Sequence, residues 1–246
     1  MNVEKPSSPN TVTRGQSFYG VDIGVILMDS DAPRAVGDIG NARTFDFPVA
    51  YTTAAGADAI SVVENASEGL LPQFVHSGKT LVSQGVRAIS TSCGFTAIHQ
   101  REMADRLNGV VATSALLQIP LILRMLASDA QLGVITANAT TLTDRHLEAV
   151  GVSAHDRRRL HLIGLENTDH LYNVLVRGTG DLDLDLAADE VLDAATTAVT
   201  AHPNIRAFVL ECTNLPPYAQ ALRDRTGLPV WDITSMIKWI QHGIRP

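Results

Sequence analysis

The sequence predicts an α/β fold of two pseudo-symmetric lobes. Each is a roughly four-stranded parallel sheet flanked by helices, with the active site in the cleft between them. Three observations predict it. Short apolar runs alternate with helix-length amphipathic stretches along the chain, the second half repeats the rhythm of the first, and the only two cysteines, Cys93 and Cys212, fall at matching points of that rhythm.

The strand candidates come first. VDIGVIL (21–27), ADAISVV (57–63), VRAIST (86–91) and GVVAT (109–113) serve the first half; QLGVIT (131–136), RLHLIG (159–164), IRAFVL (205–210) and LPVWDI (228–233) serve the second. Helical stretches are expected over 69–84, 97–108, 115–127, 141–150, 185–201 and 217–226. Near-continuous apolar strands separated by helices belong to parallel sheets covered on both faces.

The repeat is visible in the residues. Val86-Arg87-Ala88-Ile89 precedes Cys93 as Ile205-Arg206-Ala207-Phe208 precedes Cys212, and Asp105-Arg106 matches Asp224-Arg225 at the same separation. Ile23-Gly24-Val25-Ile26 matches Leu132-Gly133-Val134-Ile135 at a different separation, so an insertion or deletion lies between the motifs. The expected division is a disordered N-terminal tail over 1–17, a first lobe over 18–117 plus 234–246, and a second lobe over 118–233.

Composition narrows the function. The chain has 246 residues, is 45% apolar and carries a net charge of −7, which fits a protein with a sizeable core and argues against a nucleic-acid surface. Arg157-Arg158-Arg159 reads as a solvated connection between helix and strand, and Gly178-Thr179-Gly180 as a loop. No apolar run is long enough to span a bilayer, so no membrane partner is expected. The first residues lack the apolar core of a secretory signal, and two distant cysteines read as free thiols, so the expected compartment is the cytoplasm. The eight histidines show no metal-binding spacing, and no metal is expected.

Both cysteines are placed immediately after a strand and at the start of a helix. In open parallel sheets ligands bind at that edge. Helix-terminal N–H groups there favour negative charge, so the thiols are expected to be lowered toward neutrality. A lone cysteine in such a place is more often a small core residue, but packing gives no reason for two at equivalent positions. Around them Ser92, Gly94, Thr96, Thr136, Asn138, Thr213 and Asn214 are candidate substrate-binding residues, each also suited to a turn or cap. His99 is a candidate support for Cys93, though a surface or capping role suits it better. Arg34 is a candidate for a substrate carboxylate.

With TSCGFTA (91–97) and LECTNLPPYA (210–219), the chain resembles the aspartate/glutamate racemase superfamily, which also contains hydantoin racemases, maleate isomerases and arylmalonate decarboxylases. Asp29-Ser30 matches the family's Asp-Ser after the first strand only with two extra residues. Where glutamate racemases have Asn-Thr and Thr-His after their cysteines, this chain has Gly94-Phe95 and Thr213-Asn214. The resemblance implies a racemase or epimerase without a cofactor. One thiolate would remove the proton next to a carboxylate or carbonyl of a small substrate, an amino acid or hydantoin-like molecule, and the other thiol would deliver a proton to the opposite face. A homodimer is common in that family. Two alternatives stay open: a maleate-isomerase-like or arylmalonate-decarboxylase-like enzyme, and a non-enzymatic binder of small acids.

Overall fold

The computed structural model describes residue 12, residues 14–16 and residues 18–244. The tail expected over 1–17 therefore lies largely outside the described residues. In chain order the elements are β1 (Ile23–Met28), β2 (Val49–Ala54), α1 (Leu71–Ser83), β3 (Ala88–Thr91), α2 (Gln100–Leu107), β4 (Val110–Ala112), α3 (Ile119–Met125), β5 (Gln131–Thr136), α4 (Asp144–Ala149), α5 (Ala154–Arg157), β6 (Leu160–Gly164), α6 (Leu171–Leu175), α7 (Leu184–Ala201), β7 (Ile205–Leu210), α8 (Ala219–Thr226), β8 (Val230–Trp231) and α9 (Ile233–Ile244).

The strands form two parallel four-stranded sheets, ordered β2-β1-β3-β4 and β6-β5-β7-β8. Relabelled within each half, the two orders are identical, so the expected two-lobed architecture is the observed one. The matched glycines lie on the equivalent strands β1 and β5. Each leaves room for a large neighbour: a Cβ on Gly24 would sit 2.9 Å from Leu81, and one on Gly133 would sit 2.6 Å from Phe208. Core strands read as buried throughout: every residue of β3 and the last five residues of β5 are buried.

One strand is not where the sequence places it. ADAISVV (57–63) forms a turn and a short π-helix over Ile60–Glu64, and the second strand is VAYTTA, 49–54. The burial pattern explains both. Ala59, Val62 and Val63 are buried while Ile60 is exposed, a helical spacing, and Asp58 accepts hydrogen bonds from the amide and hydroxyl of Ser61. β2 is an edge strand, half-buried along most of its length, and has no apolar run to announce it.

The C-terminal helix α9 packs against β3 of the first sheet, and Gln118 donates to the Asp232 carbonyl at 2.9 Å just before it. The three arginines at 157–159 divide their work: Arg157 pairs with Asp144, Arg158 donates to the Ala154 carbonyl, and Arg159 donates to the carbonyls of Leu123, Ala127 and Ala130, closing the end of α3. No helix among the described residues is long and apolar enough to cross a membrane.

Candidate active site

The two cysteines follow equivalent strands. Cys93 comes two residues after β3 and caps a 3-10 turn over Gly94–His99 that runs into α2; Cys212 comes two residues after β7, ahead of a 3-10 turn at Pro216–Tyr218 that runs into α8. The parallel sheets aim both loops at the seam between the lobes. There Cys93 and Cys212 line one small cavity with Met28, Val63, Phe95 and Glu211. Ser92, Gly94 and Thr213 bring the loops into contact. The Thr213 hydroxyl donates to the Ser92 carbonyl at 2.6 Å, and a Cβ on Gly94 would lie 2.4 Å from the Glu211 carbonyl oxygen.

Electrostatics at the thiols run opposite to the expectation from sequence. Cys93 is 6% exposed and Cys212 9%. Burial pushes both thiols well above the ordinary range, and the neighbouring Glu211 pushes them further. The backbone amides of Phe95 and Asn214 pull the other way, as the helix-start argument requires, but desolvation wins. Both thiols are protonated in this closed arrangement.

A polar chain holds Cys212. Its thiol donates to Asn214 Oδ1 at 3.5 Å, and the Asn214 amide nitrogen donates to Asp38. Asp38 also accepts from Arg34 at 3.0 Å and from the Gly40 amide at 2.6 Å. Burial raises Asp38 above the usual carboxylate range, with Arg34 opposing. Arg34 is thus committed to Asp38. Behind Asp38, Gly37 has φ +110° and packs on Pro217, where a Cβ would come within 3.0 Å of backbone. A glycine is needed there for both reasons.

Glu211 is fully buried. Its Oε2 accepts from the Thr136 hydroxyl at 2.7 Å, while Oε1 has no hydrogen-bond partner. Burial raises the carboxyl to about 7, with Thr136 and the Ala137 amide opposing. Tyr218 is a further buried hydroxyl without a partner; burial pushes it up to about 12, with Cys212 and Asp38 adding to the shift.

The candidate binding residues separate into two groups. Ser92 and Asn214 line the cavity, and Gly94 makes room for Glu211 beside it. The hydroxyls of Thr96, Thr136 and Thr213 are engaged inside the protein: Thr96 with the carbonyls of Cys93 and Thr113, Thr136 with Glu211, and Thr213 with Ser92. Asn138 shapes its own turn through Thr140 and Thr141 and donates to the Tyr172 hydroxyl at 3.1 Å. His99 bonds to Ser67, its ring buried, and so fixes a loop of the first lobe. Asp29 and Ser30 accept turn amides from Gly56 and Ala32. Asp38, Glu211 and Tyr218 are site residues that sequence reasoning did not single out.

The cavity is about 20 Å³, room for about one water molecule. Leu175 and Val176, at the end of α6, form part of its wall. Close by, the Tyr172 hydroxyl donates to Glu64 of the first lobe at 3.2 Å. A substrate enters only when this wall moves or the lobes part.

Comparison with solved structures decides the fold's kinship. The chain aligns with allantoin racemase from Klebsiella pneumoniae (TM-score 0.54, 16% identity, 85% of this chain and 82% of that one). It aligns similarly with glutamate racemase from Francisella tularensis (0.53, 14%, 91% and 82%) and with a mutant of arylmalonate decarboxylase (0.52, 18%, 85% and 86%). The chain has the aspartate/glutamate racemase fold. Curated sequence relatives carry a different activity in their names. Dimethylsulfoniopropionate lyase 3 of Emiliania huxleyi is 31% identical over 223 residues, covering 85% of this chain, and the dimethylsulfoniopropionate lyase of Durusdinium sp. clade D is 28% identical over 220 residues, also covering 85%. The chain spans 56% of the length of the first and 70% of the second. No family model matches the chain.

Proposed function

We propose that this racemase-fold chain is a cofactor-independent lyase that removes the proton next to a carboxylate and expels a neutral leaving group from the adjacent carbon. Dimethylsulfoniopropionate is the substrate suggested by the relatives. The observation that carries the reading is the pair of thiols, one from each lobe, lining a single buried cavity. Racemisation and this elimination share their first step, abstraction of a weakly acidic proton. They differ in the fate of the carbanion, which is either reprotonated or collapses with loss of the leaving group.

The residues suggest distinct roles. Asn214 presents Oδ1 to Cys212 because its amide nitrogen is held by Asp38, and an acceptor on a thiol keeps that thiol protonated. Cys212 is therefore the thiol whose single S–H turns from Asn214 Oδ1 to the growing enolate once substrate is bound. Each thiol receives one backbone amide, so the difference between them is the Asn214 acceptor; Cys93 has no such acceptor among the described residues, and we assign it as the base. Its sulfur takes the proton from the carbon next to the carboxylate, the electron pair forms the carbon–carbon double bond, and the carbon–sulfur bond breaks. The products are acrylate and dimethyl sulfide. Dimethyl sulfide leaves uncharged and needs no acid. Donors aimed at developing enolate charge in a dry site supply several kcal/mol of the barrier reduction.

The test is headspace detection of dimethyl sulfide, with acrylate quantified in solution, after incubation with dimethylsulfoniopropionate. Equimolar release of both supports the reading, and an absence of both contradicts it. The second reading, a racemase or epimerase, is favoured by the near-symmetric placement of the thiols after β3 and β7. It predicts that single enantiomers of amino acids or hydantoins lose optical activity in deuterated water and take up deuterium at the reacting carbon.

A further inference from the structure

The mechanism above leaves one member of the cavity without a task. Glu211 is fully buried, and its Oε1 has no hydrogen-bond partner beside both thiols. A Cβ on Gly94 would lie 2.1 Å from that oxygen, so the residue after Cys93 leaves the space it occupies. An unpaired buried carboxylate is expensive, and a site that keeps one needs a cation to offset it. No cation among the described residues does so. Around the cavity the ionisable groups are Cys93, Cys212, Asp38 and Tyr218, and Arg34 is engaged by Asp38 at 3.0 Å. His146 stands edge-on to Phe95, with burial holding it below its ordinary value and therefore neutral.

The remaining wall selects the kind of cation. Met28, Val63, Phe95, Ala137, Leu175 and Val176 offer methyls, a thioether and one ring. Ser92 takes the Met28 amide, and Asn214 is held between Asp38 and Cys212. A primary ammonium brings three donors and would leave most of them unsatisfied here. A methylated onium group brings a charge with no N–H or O–H, and its methyls suit an apolar wall.

We propose that Glu211 is a specificity-determining residue whose free oxygen is the counter-charge for a methylated onium head, a sulfonium or a quaternary ammonium, on the substrate. The inference deepens the lyase reading and rests on it for the position of the reacting carbon. It has an electrostatic consequence: a cation beside Glu211 offsets the charge that adds to burial in raising both thiols, so binding the substrate shifts Cys93 toward the thiolate. Because the Glu211 carboxyl titrates at about 7 when the cavity holds no cation, the preference for an onium grows as pH rises through neutrality. The thiols do not obscure this, since both are pushed well above that range.

The experiment is calorimetric binding of two inert acids, trimethylammonio-propionate and its neutral isostere with a quaternary carbon in place of nitrogen. At pH 8 the wild-type chain is expected to hold the onium roughly tenfold more tightly than the isostere. The ratio should shrink at pH 6, and in Glu211→Gln it should collapse to about unity with affinity for the isostere kept. Equal affinities in the wild type at pH 8, binding of neither acid, or an unchanged ratio in Glu211→Gln each overturns the proposal. Should that variant not fold, the wild-type pH series decides, and a ratio flat between pH 6 and pH 8 overturns it. Dimethyl sulfide release is measured on the same preparation. Onium preference without release defeats the lyase reading and supports the role of Glu211, whereas release without onium preference defeats the role of Glu211 alone.

Discussion

The hydroxyl of Thr213 donates to the backbone carbonyl of Ser92 at 2.6 Å, joining the residue after one cysteine to the residue before the other. Both groups are buried, so neither has water as an alternative partner. The bond fixes the two thiol-bearing loops against each other across the seam of the lobes. Thr213→Val keeps the shape and leaves the Ser92 carbonyl unpaired. It should cost about 1–3 kcal/mol of stability in chemical denaturation and lower kcat more than KM is raised.

Glu211 should oppose folding at high pH. Its folded-state value of about 7 lies above the ordinary 4.5, so the folded chain holds this proton more tightly than the unfolded one. The group is therefore neutral and harmless below about 4.5, and it costs stability progressively as pH rises from there to about 7. The full cost is roughly 3 kcal/mol. Glu211→Gln removes it, so the variant should melt above the wild type at pH 8 and close to it at pH 5. Identical melting differences at the two values would contradict the assigned burial of charge.

Gly94 has no room for a side chain. An alanine there would put its Cβ 2.4 Å from the Glu211 backbone oxygen, which cannot swing away as a side chain can. Gly94→Ala should lose several kcal/mol of stability or fail to accumulate in soluble form. A variant melting within a degree of the wild type would show that the loops are looser than drawn.

Tyr172 bridges the lobes at the cavity wall, with Glu64 on one side and Asn138 on the other. Tyr172→Phe removes both bonds and retains the ring. The cavity opens more readily and the closed state is less populated, so substrate association should quicken while KM rises and kcat falls. Stopped-flow binding of an inert acid reads the first effect directly.

Much of this was legible in the sequence. Seven of the eight strands announce themselves as apolar runs, and the matched cysteine loops give the duplication that the sheet orders repeat. β2 was not legible because an edge strand with one accessible face has no continuous apolar signal, and 57–63 misled because apolar composition does not distinguish strand from helix over seven residues. Glu211 had a signal that composition alone could not interpret: one acid directly after the apolar run IRAFVL. Asp38 had none, since a long loop carries it 174 positions back from the cysteine it supports through Asn214. The direction of the thiol shifts also needed the structure, because helix-start amides act locally whereas desolvation depends on how the two lobes close.

The division of labour between the thiols is the central claim, and dimethyl sulfide release by single-cysteine variants tests it most directly. Cys93→Ala removes the base and should abolish release from dimethylsulfoniopropionate. Cys212→Ala removes a hydrogen-bond donor to the enolate and should lower kcat by about 10²–10³, leaving measurable turnover. Full turnover by Cys93→Ala, or a complete loss in Cys212→Ala with activity surviving in Cys93→Ala, would contradict the account.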